Sequence, residues 1–295
     1  MPQIEITFLL PYFLLLENGQ YSTSSDTKDH PLFLRDVDTV DNHAFPKRTQ
    51  VSLRFEGNAV SDDDIQHLKS SQIEKLLQQT NRLLRWYRAE TGRSAITEVT
   101  RIQASPFVFR SNDKNIPSLY LREVSFESSS LPLNNTQTVQ RVTKAVKKGL
   151  ASKSDPEVSR LFLLDAEQAL RDGRFRECVL FCWSTIDATF NSKYEQLVDL
   201  MLAEEWSGGR EWLKDPRFGM RNKMSAVLFL LTGRSLARET GDLWVNLGQS
   251  YKKRNSIIHT GETAQEADAE TALSVARQVV TVMDALKPKK LGKKK

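Results

Sequence analysis

The chain has 295 residues, 39% apolar and 27% charged, which suits a polypeptide that buries a core and excludes collagen-like and wholly disordered classes; two cysteines exclude a disulfide framework. The length suggests two domains. The net charge of +5 is uneven, with 15 Lys+Arg against 17 Asp+Glu in residues 1–134 and 27 against 20 in residues 135–295, but six of those 27 are lysines in a basic tail over 287–295, so the charge argues only weakly for nucleic acid.

In chain order, Gln3–Leu9 reads as a strand. Phe8–Leu16 is the longest apolar run, about half the ~20 residues of a spanning helix, and Pro11 interrupts it. No basic residue precedes Lys28, as a signal peptide would require, so the expected location is cytoplasmic and no membrane is involved. Residues 17–47 are polar, with strand-like pieces such as Leu32–Leu34. Gln50–Phe55 alternates as a half-buried strand. Ser61-Asp62-Asp63-Asp64 caps a helix that runs to about Ala89 and stops near Gly92. Within it, Arg85-Trp86-Tyr87-Arg88 has the form of a base-stacking spot, although aromatics ending an apolar helix more often belong to a core. Ile96–Gln103, Phe107–Arg110 and Leu119–Phe126 read as further strands. The polar stretch Ser128–Thr138 is placed as the domain boundary.

From Val139 onward no strand is expected. Helices are predicted at 139–150, 156–172, 174–203, 220–232, 240–258 and 266–286, with Pro156 at a first helical position and Gly173, Gly233 and Gly261 at helix ends. Gly208-Gly209 reads as a loop. The expected organisation is an α+β domain over 1–130 followed by an all-α helical bundle over 139–290.

Phosphate-binding glycine loops are absent, as are H-E-x-x-H and C-x-x-C; His30, His43, His67 and His259 are scattered, so neither a metal site nor a cofactor is expected. Cys178 and Cys182, one turn apart, read as small buried groups.

One constellation stands out in Leu243–Gly261, LWVNLGQSYKKRNSIIHTG. Counting from Leu247, Tyr251, Arg254 and Ile258 fall on one helical stripe, which puts an arginine on the face otherwise used for burial. Asn255 adds an amide. His259, just before the helix stop, is the side chain best suited to moving protons near neutral pH. Arg, Asn and His together are a set able to cleave a phosphodiester without metal, the histidine moving protons and the arginine steadying phosphorane charge. Five residues at 100° each place Arg254 and His259 about 140° apart, so either the last turn is distorted or the site combines groups from two chains.

The segment Arg254-Asn255-Ser256-Ile257-Ile258-His259 resembles the R-x(4–6)-H motif of HEPN domains. The surrounding CWSTIDATF (182–190), RNKMSAVLFLLTG (221–233) and YKKRNSIIHTGE (251–262) resemble the ApeA-like branch, over about residues 155–287. The resemblance implies a helical bundle that dimerises with its motif helices together. It further implies a metal-independent endoribonuclease, of the kind found as toxins or phage-defence effectors, with RNA as substrate and an antitoxin or regulatory partner. Arg254 would contact phosphate, His259 would be the general acid/base and Asn255 would orient them. Asp187 is the nearest match to the acidic residue, usually Glu, that many members carry on an earlier helix. Arg234, Lys252 and Lys253 are candidate RNA contacts. Other HEPN domains are non-catalytic dimerisation or nucleotide-binding modules, which is the alternative. The first domain resembles nothing and is expected to sense a trigger, select substrate or restrain the nuclease.

Overall fold

The computed structural model describes residues 3–22, 31–38, 47–56, 62–101, 103–104, 107–111, 114–116, 136–152, 154–201, 207–215, 219–238 and 242–288. The chain divides into two compact units, Met1–Pro156 and Glu157–Lys295, each with its own apolar core.

Among the described residues the first unit carries six antiparallel strands, β1 Gln3–Leu9, β2 Gly19–Tyr21, β3 Leu32–Asp38, β4 Lys47–Glu56, β5 Val108–Ser111 and β6 Lys114–Ile116, in the order β2-β3-β4-β1-β5-β6. The register explains the core. Ile4, Ile6 and Phe8 stand opposite Phe55, Leu53 and Val51, Leu53 and Val51 stand opposite Leu32 and Leu34, and Ile6 stands opposite Phe109, so one face of the sheet is a continuous apolar layer. On the other face Glu5 and Arg54 pair at 3.1 Å, with the guanidinium also 4.6 Å from the Phe33 ring centre.

Helix α1, Asp62–Thr91, packs against β3 and β4 and contributes Ile73, Leu76, Leu77, Leu83, Leu84 and Tyr87 to the same core. Gly92 ends it at φ +68°, a conformation cheap only for glycine. Tyr87 is fully buried and its hydroxyl accepts the Leu15 N–H at 3.2 Å, while Arg85 pairs with Glu98 and Asp155. The Arg85–Arg88 stretch is therefore core and tether, not a base-stacking surface.

Three expectations for this half need correction. Ile96–Gln103 forms no strand, because the Asn81 side chain supplies what a neighbouring strand would. Its Nδ2 donates to the Val99 carbonyl at 3.0 Å and its Oδ1 accepts the Val99 N–H at 2.8 Å, and a turn through Thr100–Ala104 follows. Helix α2, Thr136–Ala151, belongs to the first unit, since Val142, Val146 and Leu150 face the sheet's core. The division between units thus falls at Pro156 and not at 128–138. Ser61 and the expected strand Leu119–Phe126 lie outside the described residues.

The second unit is mostly helical. Helices α3 (Val158–Arg171), α8 (Leu243–Thr260) and α9 (Glu266–Ala285) pack on α4 (Phe175–Met201). Pro156 lies one residue ahead of the Glu157 N-cap, so α3 starts two residues later than the proline suggested. Gly208 and Gly209 sit inside a short helix, α5 (Ser207–Lys214), whose Leu213 is buried and whose Leu213 carbonyl accepts the Tyr194 hydroxyl at 3.2 Å. The helix expected at 220–232 has three parts: α6 (Met220–Asn222), a π-helical turn Lys223–Val227, and α7 (Leu228–Thr232), ending at Gly233 with φ +79°. A 3-10 turn, Leu236–Arg238, follows. Cys178 and Cys182 are buried and free; the hydrogen bond with Cys178 and burial push the Cys182 thiol far up, so it stays protonated and apolar in character. Among the described residues no helix is long and apolar enough to cross a membrane.

Candidate active site on helix α8

Helix α8 buries Leu243, Leu247, Ser250 and Ile257, a stripe at spacings of four, three and seven. Arg254 falls on that stripe between Ser250 and Ile257 and is half-buried. Tyr251 and Ile258, expected on the buried stripe, are instead each 48% exposed. The reason is angular: counted from Leu247 the buried positions span about 0° to −80° around the axis, and Ile258 and Tyr251 lie at about +20° and +40°, past the edge of the face that packs on α4 and α9. Trp183 donates its Nε1–H to Ser250 Oγ at 2.9 Å, and its ring lies 5.2 Å from that of Tyr251 at a tilt of 59°.

Arg254 is hydrogen-bonded to one neighbour and acts electrostatically on another. Its Nη1 donates to Asn255 Oδ1 at 3.0 Å. On the α4 side its charge acts on Asp187: burial raises the carboxyl above the ordinary carboxylate value, and Arg254 opposes that shift without cancelling it. The raised value means that ionising Asp187 costs stability, a cost absent below the unfolded carboxylate pKa and complete once pH rises past the folded one. Asp187→Asn is expected to stabilise the protein at neutral pH. Arg254→Ala is expected to cost about 1 kcal/mol, of which Asp187→Asn restores part, since a charge facing this carboxylate is lost. Urea unfolding of the two single variants and the double variant measures that coupling.

His259 is exposed in the last turn, and among the described residues no group hydrogen-bonds its imidazole. The helix stays regular through Thr260, where Gly261 caps it with its N–H on the Ile257 carbonyl at 3.1 Å. A distorted last turn is thereby removed as a route to bringing His259 beside Arg254. The two remain about 140° apart around the axis, with Ile258 between them.

The three flanking cations fare differently. Lys252 is exposed. Lys253 is taken up by the α8–α9 connection, 2.6 Å from Glu262 and 3.0 Å from Asp268, and Asp268 also accepts the Gln265 N–H as half of a capping box. Arg234 sits in the turn after α7, its backbone N–H donating to Thr232 Oγ1 at 3.1 Å. Lys253 holds Glu262 below the ordinary carboxylate value; Asp268 is also lowered, its N-cap hydrogen bond and Lys253 outweighing burial. The clamp therefore contributes above the unfolded carboxylate pKa values near 4 and is lost as pH falls through the lowered folded ones. Lys253→Met is expected to flatten the dependence of Tm on pH between about 3 and 5, with amide exchange in 261–268 faster at neutral pH.

Alongside α8 opens a cleft of about 680 Å³, lined among others by Trp183, Met220, Arg221, Trp244, Tyr251, Lys252 and Asn255. The sequence reading missed Trp183, Arg221 and Trp244. The usable signal was the seven-residue spacing of Trp244 and Tyr251 with Gly248 between them. Among the described residues no three His, Cys, Asp or Glu side chains converge as a metal-binding group. Searches against protein-family models, curated proteins and solved structures find no match for the chain.

Proposed function

We propose that the second unit is a HEPN-type helical bundle acting as a metal-independent RNA endonuclease in a homodimer. The observation that carries this reading is the division of labour on one helix: a half-buried arginine hydrogen-bonded to Asn255, and a histidine left open to solvent a turn further on. Arg254 would take the non-bridging phosphate oxygens, where charge grows in the transition state. His259 would accept the 2′-hydroxyl proton and, as imidazolium, give a proton to the departing 5′-oxygen. The phosphodiester P–O5′ bond breaks as the O2′–P bond forms, leaving a 2′,3′-cyclic phosphate and a 5′-hydroxyl. The 140° separation is bridged when two copies meet across Ile258, so that the Arg254 of one faces the His259 of the other; exposed Ile258 at that position supports such a contact. A toxin or phage-defence effector restrained by a regulatory partner in the cytoplasm is the biological setting that fits such an activity.

The test is incubation of the purified full chain with total RNA in EDTA, beside His259→Ala and Arg254→Ala proteins checked for folding and mass. Cleavage by wild type alone supports the reading. Equal cleavage by all three places the activity elsewhere. A dimer that binds RNA but never cuts, with or without His259, supports a non-catalytic HEPN module instead.

A further inference from the structure

We infer that the cleft beside α8 is a nucleotide subsite, in which a base stacks on Tyr251 and its phosphate lies between Arg221 and Lys252. It rests on the ribonuclease reading in taking the nucleotide to be part of an RNA strand running to Arg254. Three observations on the cleft carry it.

The charges on an otherwise mostly apolar lining are both cationic among the described residues. Arg221 and Lys252 both line the cleft and both are exposed, and among the described residues no carboxylate lines it or pairs with either of them. Lys253, the next residue, is by contrast paired twice. An anion is the complement of such a lining.

A flat platform is already rigid. The Tyr251 ring packs at 5.2 Å and a 59° tilt on Trp183, whose indole is hydrogen-bonded to Ser250, and the residue stays 48% exposed. Arg221 lies 5.2 Å from the centre of the Trp244 ring, so the cation is held at the wall of the cleft. Aromatic faces and guanidinium planes are the surfaces on which unpaired bases stack, whatever their sequence. The volume lies within the range of ligand pockets and admits one nucleotide.

The cleft is open where a side chain would ordinarily fill it. Gly248 lines it, and a Cβ built there meets nothing within 4 Å. Asn255 lines the same cleft and accepts the hydrogen bond of Arg254, so the far end of a bound nucleotide leads to the proposed phosphate contact.

The experiment is fluorescence anisotropy of a labelled 2′-O-methyl tetranucleotide, which cannot form a cyclic phosphate, binding to the full chain in EDTA. Variants are Gly248→Leu, whose Cβ would meet nothing within 4 Å and whose side chain would occupy the cleft, and Arg221→Gln and Tyr251→Leu at exposed positions. Each is expected to weaken binding about tenfold or more in a chain that stays folded, with Gly248→Leu raising thermal stability through its better helix propensity. Competition by nucleoside monophosphates at similar concentration identifies the ligand as a free nucleotide; binding of the oligonucleotide alone identifies the RNA strand.

Binding that is the same in wild type and all three variants overturns the inference, even where His259→Ala abolishes cleavage and the ribonuclease reading stands. Binding lost in the variants of a protein that never cuts keeps the inference and removes the ribonuclease. Absence of binding by wild type overturns it. Loss of the dimer mass in Tyr251→Leu with nucleotide binding intact assigns the surface to a second copy of the chain and likewise overturns it.

Discussion

Co-expressed His259→Ala and Arg254→Ala chains are expected to regain ribonuclease activity that neither chain has alone. Each single variant should fall at least about 100-fold below wild type, the usual range for removing a general acid/base or a transition-state charge contact. The recovery follows from the α8 geometry. The helix is regular through Thr260, so the two groups of one chain point about 140° apart, and a site that needs both draws them from two copies. In a mixed dimer one of the two composite sites holds an intact Arg254 and an intact His259, while the other holds neither. Random pairing makes half the dimers mixed, which gives about one quarter of wild-type activity from a two-fold symmetric interface. A site contained within one chain gives no recovery at all. The comparison is internal to one preparation, so a trace contaminant, which would be present in each parent, does not imitate it. Ile258→Asp should abolish the recovery together with the dimer mass in light scattering.

The second large effect concerns stability and the placement of α2. Gly149 lies in the last turn of that helix, and a Cβ there would overlap the Trp86 indole. Helix propensity alone predicts that Gly149→Ala stabilises, by up to about 1 kcal/mol. The close approach reverses the sign. The indole must move out of a packed position beside α1, and overpacking of this kind costs about 1–3 kcal/mol. Gly149→Ala is therefore expected to lower the Tm of the first unit by several degrees. Trp86→Leu in the same background should recover part of the loss, because the ring that obstructs the methyl is gone. If α2 were instead part of the helical unit, as its place after a polar stretch suggests, Trp86 would be irrelevant to Gly149, and the substitution would stabilise.

Much of the fold was legible because the period of the apolar pattern is local. Gln3–Leu9 and Gln50–Phe55 alternate, and they pair in the register that stacks Ile6 on Leu53. The helices of the second half carry their stripes and their terminal glycines, and Gly173, Gly233 and Gly261 all take positive φ. What was not legible depends on partners distant in sequence. Ile96–Gln103 has strand composition, but the Asn81 amide pairs with Val99 in place of a strand. Helix α2 looks like any amphipathic helix, and only its packing on α1 and the first unit's core assigns it to that unit. At the site, Arg254 on the buried stripe and the angular gap to His259 follow from counting residues. The exposure of Tyr251 and Ile258 does not, because it depends on how wide a face of α8 the helices α4 and α9 cover. Lys253 also read like Lys252, and two carboxylates beyond the helix end distinguish them.

The π-helical turn at Lys223–Val227 makes the aim of Arg221 a matter of residue number as much as residue identity. A π turn holds one residue more than an α turn, so the segments on either side are out of phase by about 100°. Leu228 and Leu231 are fixed by burial, which leaves Met220–Asn222 as the part that is rotated. Excising one exposed residue, Ala226, would let the run 220–232 close as plain α-helix, swing Arg221 off the Trp244 ring and leave the buried leucines in place. A chain one residue shorter at this point would thus keep the R-x(4)-H motif intact and lose the cation at the wall of the cleft. Two such proteins, aligned with a single gap, would differ in what they hold beside α8 without a single substitution in it.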